Sequence, residues 1–233
     1  LLWGYRAILN SKKVWILFQN PDDQALFTKH KIIYPEHAFK IKGSGVDLQQ
    51  FAYSPIPKDR VKVILVARML WDKGVGEFVE SATVLTQQGI DADFLLVGSV
   101  DSGNPESISA KQLEQWNKSG VVNWLGERAD IAQLLTESHI AVLPSYREGL
   151  PKSLIEAAAV GRAIVTTDVP GCREVVKDGE NGFLVPAKDA KKLAVAIQKL
   201  INNPKLLTSM GKKSRLMAEQ EFSIQQIVEQ TLK

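Results

Sequence analysis

Between residues 61 and 185, short apolar runs alternate with amphipathic stretches, and that rhythm leaves few folds open. The runs 61–67, 92–98, 121–125, 139–143, 163–167 and 182–185 read as six strands. Between them, 74–89 places Phe78, Ala82 and Leu85 on one helical face, and further helices fall near 129–137, 151–160 and 171–177. The polar segment 100–120 reads as a surface excursion with a helix from Pro105. Six strands joined by right-handed crossovers make an α/β, Rossmann-like doubly wound parallel sheet. After Pro186 the pattern turns helical: Asp189 caps 190–202, a second helix covers 204–221, and Ser223 caps a last one through Leu232.

The first residues follow a different pattern. Strand 14–18, helix 21–30 and strand 38–41 form the tail of a second αβ pattern whose beginning is missing. Gly43-Ser44-Gly45-Val46-Asp47 and Ser54-Pro55-Ile56-Pro57 have the glycine and proline content of a hinge, dividing the chain into 1–54 and 55–233. Gly43 and Gly45 read as linker because no helix opens directly behind them. The opening Leu1-Leu2-Trp3-Gly4-Tyr5-Arg6 has neither an initiator methionine nor a cleavable signal pattern, so the chain is expected to start inside a longer protein.

Composition narrows the function. With 233 residues, 45% apolar and 24% charged, the chain has a globular composition and is neither disordered nor fibrous. A net charge of +3 is too weak to argue for nucleic acid, and no nucleic-acid-binding signature accompanies it. One cysteine, Cys172, permits no internal disulfide and points to a cytoplasmic setting. No histidine lies near it in sequence, so it reads as a small loop residue rather than a nucleophile. No apolar run reaches the ~18 residues of a membrane span. His30, His37 and His139 are scattered and suggest no metal cluster, and His139 reads as a satisfied core or edge residue. Walker and Gly-x-Ser-x-Gly loops are absent. Trp71, Trp116 and Trp124 read as packing or surface anchors.

In open parallel sheets ligands bind beyond the C-terminal strand ends. Arg68 and Lys73 follow the first strand, Gly126-Glu127-Arg128 the third, and Ser145 to Pro151 the fourth, within which begins the run Tyr146-Arg147-Glu148-Gly149-Leu150-Pro151-Lys152-Ser153-Leu154-Ile155-Glu156. A guanidinium and an ammonium near a helix N-terminus suit a diphosphate. Glu148 is placed in the loop before the helix and Glu156 inside it, with first-turn N–H groups between them, a geometry suited to a polyol flanked by phosphate. Acids near a helix start also complement the dipole in any protein, so the pair discriminates only together with the other motifs. Asp168-Val169-Pro170-Gly171, after the fifth strand, reads as structural.

Taken together, Val66-Ala67-Arg68 with Lys73-Gly74, Glu148-Gly149-Leu150-Pro151 through Glu156-Ala157, Thr167-Asp168-Val169-Pro170-Gly171-Cys172-Arg173-Glu174 and Asp178-Gly179-Glu180-Asn181-Gly182 resemble the retaining family 4 glycosyltransferases of the GT-B fold. Upstream, Gln19-Asn20-Pro21-Asp22-Asp23 and Gly45-Val46-Asp47 are similar to that family's stretch before and at its interdomain linker. The resemblance implies that 55–233 is the nucleotide-sugar-binding half and 1–54 the end of the acceptor-side Rossmann domain. By analogy Arg68 and Lys73 bind the donor diphosphate and assist its departure, Glu148 faces the donor sugar, and Glu156 accepts from the ribose hydroxyls. Backbone N–H groups near Gly149 and Leu150 steady sugar and phosphate, and Gly126 and Arg128 lie where the base-contacting loop falls. No metal or other cofactor is expected, and the donor is expected to be a UDP-sugar by family frequency. The acceptor is expected to be a saccharide or a lipid-linked one in surface polysaccharide or lipopolysaccharide assembly, with peripheral contact at the inner membrane face. Gly98-Ser99-Val100-Asp101 departs from the compact turn of many relatives. With most of the first domain missing, the chain is expected to bind donor without catalysing transfer. An epimerase or synthase relative, and a non-catalytic sugar-nucleotide-binding module working with a partner subunit, stand as alternatives.

Overall fold

The structure is a computed structural model that describes residues 2–232; Leu1 and Lys233 lie outside the described residues. Six parallel strands, β3 (Val61–Val66), β4 (Ala92–Val97), β5 (Asn123–Trp124), β6 (Ile140–Leu143), β7 (Ala163–Thr167) and β8 (Gly182–Val185), stand in the order β5-β4-β3-β6-β7-β8. The order reverses between β3 and β6, which pair directly through Val63 with Ile140 and Ile64 with Ala141. All four residues of β6 and all five of β7 are buried, as central strands covered on both faces require.

Alternate residues feed opposite layers. Val63 and Leu65 face a core built with α3 (Val75–Gln87), α8 (Ala190–Ile201) and α9 (Pro204–Met217), around Phe78, Leu85, Ile197 and Met210. Ile64 faces the other core, filled by α6 (Lys152–Val160) with α5 (Ile131–Thr136) and α7 (Cys172–Val175). The run Ala157-Ala158-Ala159-Val160 is wholly buried, and its small side chains let α6 lie close on the sheet.

Several boundaries differ from the sequence reading. The helix expected from Pro105 begins only at α4 (Ala110–Lys118), because Ser109 accepts from the Gln112 N–H and caps it there. The helix expected over 204–221 ends at Met217 and continues as a wider π turn, Ala218–Phe222, before Ser223 caps α10 (Ile224–Thr231). An unforeseen helix, α1 (Leu2–Leu9), precedes a small parallel sheet of β1 (Ile16–Phe18) and β2 (Ala38–Lys40), which flank α2 (Pro21–Lys29).

The stretch after Gly45 is fastened to the larger sheet's layers. Val46 exchanges backbone hydrogen bonds with Phe222 and Ile224, and Ser54 N–H donates to Val160. Arg162 is fully buried and donates to the Ser54 carbonyl at 2.8 Å; burial lowers its pKa to about 10. Arg215 donates to both Phe51 and Ala159 carbonyls at 3.1 and 2.7 Å. His139 is buried and satisfied, its Nδ1 accepting from the Lys62 N–H at 3.1 Å, as expected of a core residue. Replacing Arg162 with alanine is expected to destabilise the chain by about 2–4 kcal/mol in urea unfolding, through a cavity and an orphaned Ser54 carbonyl. A loss below about 1 kcal/mol would show that the clamp is dispensable.

Candidate active site

The crevice where strand order reverses is built from two loops that only a glycine lets meet. Gly74 ends the short turn Trp71–Lys73 at φ 71°, and a Cβ there would stand 2.2 Å from the Pro144 carbonyl oxygen. The Tyr146 N–H then donates to the Asp72 carbonyl at 2.9 Å, joining the loop after β3 to the loop after β6. The Tyr146 hydroxyl donates to Glu77 at 2.6 Å, and burial beside that carboxylate pushes its pKa up.

This closure brings Lys73 and Glu148 together. Lys73 Nζ donates to Glu148 Oε1 at 2.7 Å, and the Ser145 hydroxyl donates to the same oxygen at 2.7 Å. The two side chains are only 19% and 12% exposed, so the pair is shielded from salt. Ser145 is itself held: its carbonyl accepts from the Thr167 hydroxyl, and Thr166 donates to the Leu143 carbonyl at 2.6 Å. Ser145 opens the loop after the fourth strand and Thr167 the motif after the fifth, but neither was given a role from sequence. The signal available was a serine two positions after a buried strand and two threonines ending an otherwise apolar one.

Gly149 and Leu150 lead into α6, whose cap is Pro151. Among the described residues nothing accepts from the N–H groups of Leu150, Lys152 or Ser153, leaving a helix N-terminus with free donors beside Glu148. Glu156 lies farther along α6, 12% exposed, with Lys152 Nζ 3.7 Å away. Burial raises its carboxyl above the ordinary carboxylate range, against the pull of Lys152.

The other named residues stand at neighbouring strand ends. Arg68 Nη1 donates to Asp101 at 2.6 Å, so the Gly98-to-Asp101 turn carries the partner of this cation. The Gly126 carbonyl accepts from the Gly98 N–H at 2.8 Å, which brings the loop after β5 alongside. Arg128 forks onto Asp130 at 2.8 and 2.5 Å and is directed to the start of α5. Cys172 is fully buried as the first residue of α7 rather than a loop residue, and burial pushes its thiol up to about 11, which suits packing rather than attack.

Residues 47–217 match the family described as glycosyl transferases group 1, and this span is most of the chain. The chain belongs to that family. It is 44% identical over 185 residues to the N,N'-diacetylbacillosaminyl-diphospho-undecaprenol alpha-1,3-N-acetylgalactosaminyltransferase of Campylobacter jejuni, covering 74% of this chain and 47% of that protein. It is 29% identical to the capsular polysaccharide biosynthesis glycosyltransferase CapM of Staphylococcus aureus, covering 87% and 57%. The chain thus spans about half the length of these relatives. Among solved structures, Anabaena HepE in complex with UDP superposes with a TM-score of 0.86 at 21% identity, covering 99% of this chain and 66% of that one. That likeness supports the GT-B fold expected from the motifs.

Because the folded state holds the Glu156 proton more tightly than the unfolded chain, ionising Glu156 costs stability. The cost is absent below the unfolded carboxyl's ordinary range and fully developed once pH passes the raised folded value. Glu156→Gln is therefore expected to raise stability at pH 7 by about 0.5–1 kcal/mol while leaving it unchanged at pH 3.5. Differential scanning calorimetry at both values checks this; equal or opposite shifts would refute it.

Proposed function

We propose that this chain is the donor-binding part of a retaining glycosyltransferase that takes its sugar from a UDP-sugar and passes it to a lipid-linked saccharide. The observation that carries the reading is the Lys73–Glu148–Ser145 cluster beside the free N–H groups of α6, at the point where the strand order reverses. A diphosphate placed there would compete with Glu148 for Lys73 and with Asp101 for Arg68, and would face the positive end of a helix. Glu156, buried and short of donors, would accept from the ribose hydroxyls. Gly126 and Arg128 would border the base.

When the bond from the sugar to the diphosphate breaks, its electron pair goes to the phosphate oxygen. Arg68, Lys73 and the α6 N–H groups stabilise that charge without a metal. Glu148 steadies the sugar, and the acceptor hydroxyl attacks the face that the leaving group vacates, giving its proton to the departing phosphate. The name of the Campylobacter relative supports an N-acetylhexosamine donor and an undecaprenyl-diphosphate-linked acceptor. An acceptor of that kind would place the intact enzyme at the cytoplasmic membrane face by peripheral contact. No helix among the described residues is long and apolar enough to cross a membrane.

The sheet of β1 and β2 exposes Leu17 and Phe39, and Trp15 just before it is exposed too. Two three-residue strands do not make an independent sheet, so we take them as the end of an acceptor-side domain that contributes the rest of the cleft. A partner subunit supplying that half is the second reading, and the upstream reading frame separates the two.

Isothermal titration with UDP, GDP and ADP tests the donor. UDP is expected to bind selectively, and Glu156→Ala to weaken it by about 1–3 kcal/mol. Glu148→Ala should not weaken UDP binding, since it frees Lys73 from its carboxylate, and should remove the added affinity of the sugar-bearing donor. Equal binding of the three nucleotides, or equal losses in both variants, would overturn the assignment.

A further inference from the structure

We propose that Gln19-Asn20-Pro21-Asp22-Asp23 is a positioning clasp on the candidate active site, with Asn20 the residue that sets the Glu148-Gly149 loop. The inference rests on the donor-site reading, in which Glu148 meets the sugar. Asn20 precedes α2, is fully buried, and uses both ends of its side-chain amide. Its Oδ1 accepts from the Asp23 N–H at 2.8 Å, while Nδ2 donates to Asp23 Oδ2 at 2.9 Å and to the Gly149 carbonyl, 129 positions along the chain, at 2.9 Å. Serine, threonine or aspartate would cap α2 as well. Only the amide caps the helix and also donates to Gly149, so the cap alone does not account for the residue.

The loop is gripped from two sides. A Cβ on Gly149 would stand 2.5 Å from Gln19 Oε1. Opposite, Gly171 at φ 81° lies so close that a Cβ there would be 2.5 and 2.7 Å from the Glu148 and Gly149 carbonyl oxygens. Asp22 pairs with Arg173 at 3.0 Å, Arg173 also holds Asp168 at 3.0 Å, and Asp23 pairs with Arg147. Asn20, Asp22 and Asp23 thus reach Gly149, Arg173 and Arg147 on the larger sheet's side. The flanking ion pairs are exposed and contribute little individually. The buried amide is different, because leaving either it or the Gly149 carbonyl unpaired carries the full desolvation penalty.

Asn20→Ser separates capping from clasping, since its hydroxyl can accept from the Asp23 N–H but gives up the amide donor to Gly149. Hydrogen exchange with mass spectrometry is expected to show about tenfold faster exchange over residues 145–150 with α2 unchanged. In titrations, UDP affinity should stay within about twofold, while the gain from UDP to UDP-N-acetylgalactosamine falls to the level of Glu148→Ala. Asn20→Asp, a second capping variant that sets an acceptor against the Gly149 carbonyl, should give the same loss and serves if the serine variant does not fold. Unchanged exchange over 145–150 together with an unchanged sugar gain would overturn the proposal and leave Asn20 as a helix cap. If the unaltered protein binds no UDP, the donor reading fails, and the exchange result still decides whether the clasp exists.

Discussion

The contact between Gly74 and Pro144 is the constraint on which the rest of the site depends. With a Cβ only 2.2 Å from a carbonyl oxygen, no other residue lets the loop after β3 close on the loop after β6. That closure sets the Tyr146–Asp72 hydrogen bond, and with it the 2.7 Å pair of Lys73 and Glu148. A parallel sheet brings two strand ends side by side at its switch point, but it leaves a crevice between the loops that follow. Here the crevice floor is closed by backbone contact, and the charged side chains are carried above it.

The two cations of the site are not equivalent. Arg68 is 58% exposed and its pairing with Asp101 is screened, whereas Lys73 and Glu148 are shielded, and Glu148 accepts from the Ser145 hydroxyl as well as from Lys73. An anionic ligand would take Arg68 from its partner more readily than it would take Lys73. The molecule also tolerates unfavourable burial nearby. Glu156 is desolvated, and Asp72 Oδ1 and Glu77 Oε2 are buried without a hydrogen-bond partner among the described residues. Such costs gather where ligand-facing loops converge, which is where selection for binding can outweigh selection for stability.

Much of the fold was legible because its elements are set by local pattern. The strands 163–167 and 182–185 fall where the apolar runs predict, and Asp189 and Ser223 cap their helices as capping chemistry demands. The helix expected from Pro105 starts later because Ser109 supplies a better cap than the proline turn before it. In the site, the motif spacing pointed to Lys73, Glu148 and Glu156, and the structure brings Lys73 onto Glu148. Ser145 and Thr167 received no role because a hydroxyl has no distinctive spacing. Their role depends on β7 lying beside β6, which a sequence does not display.

The sequence by itself determined the strand and helix alternation, the division of apolar faces and the family motifs, since each is a property of residues within a few positions of one another. The tertiary structure alone decided which charges meet. It pairs Arg68 with Asp101, Arg128 with Asp130, and Asn20 with the carbonyl of Gly149. The Asn20 contact spans 129 positions, and no local propensity encodes a contact of that range. It follows from strand order and from backbone approaches that only glycines at 74 and 171 permit, so the geometry of the site is settled where the loops are packed together.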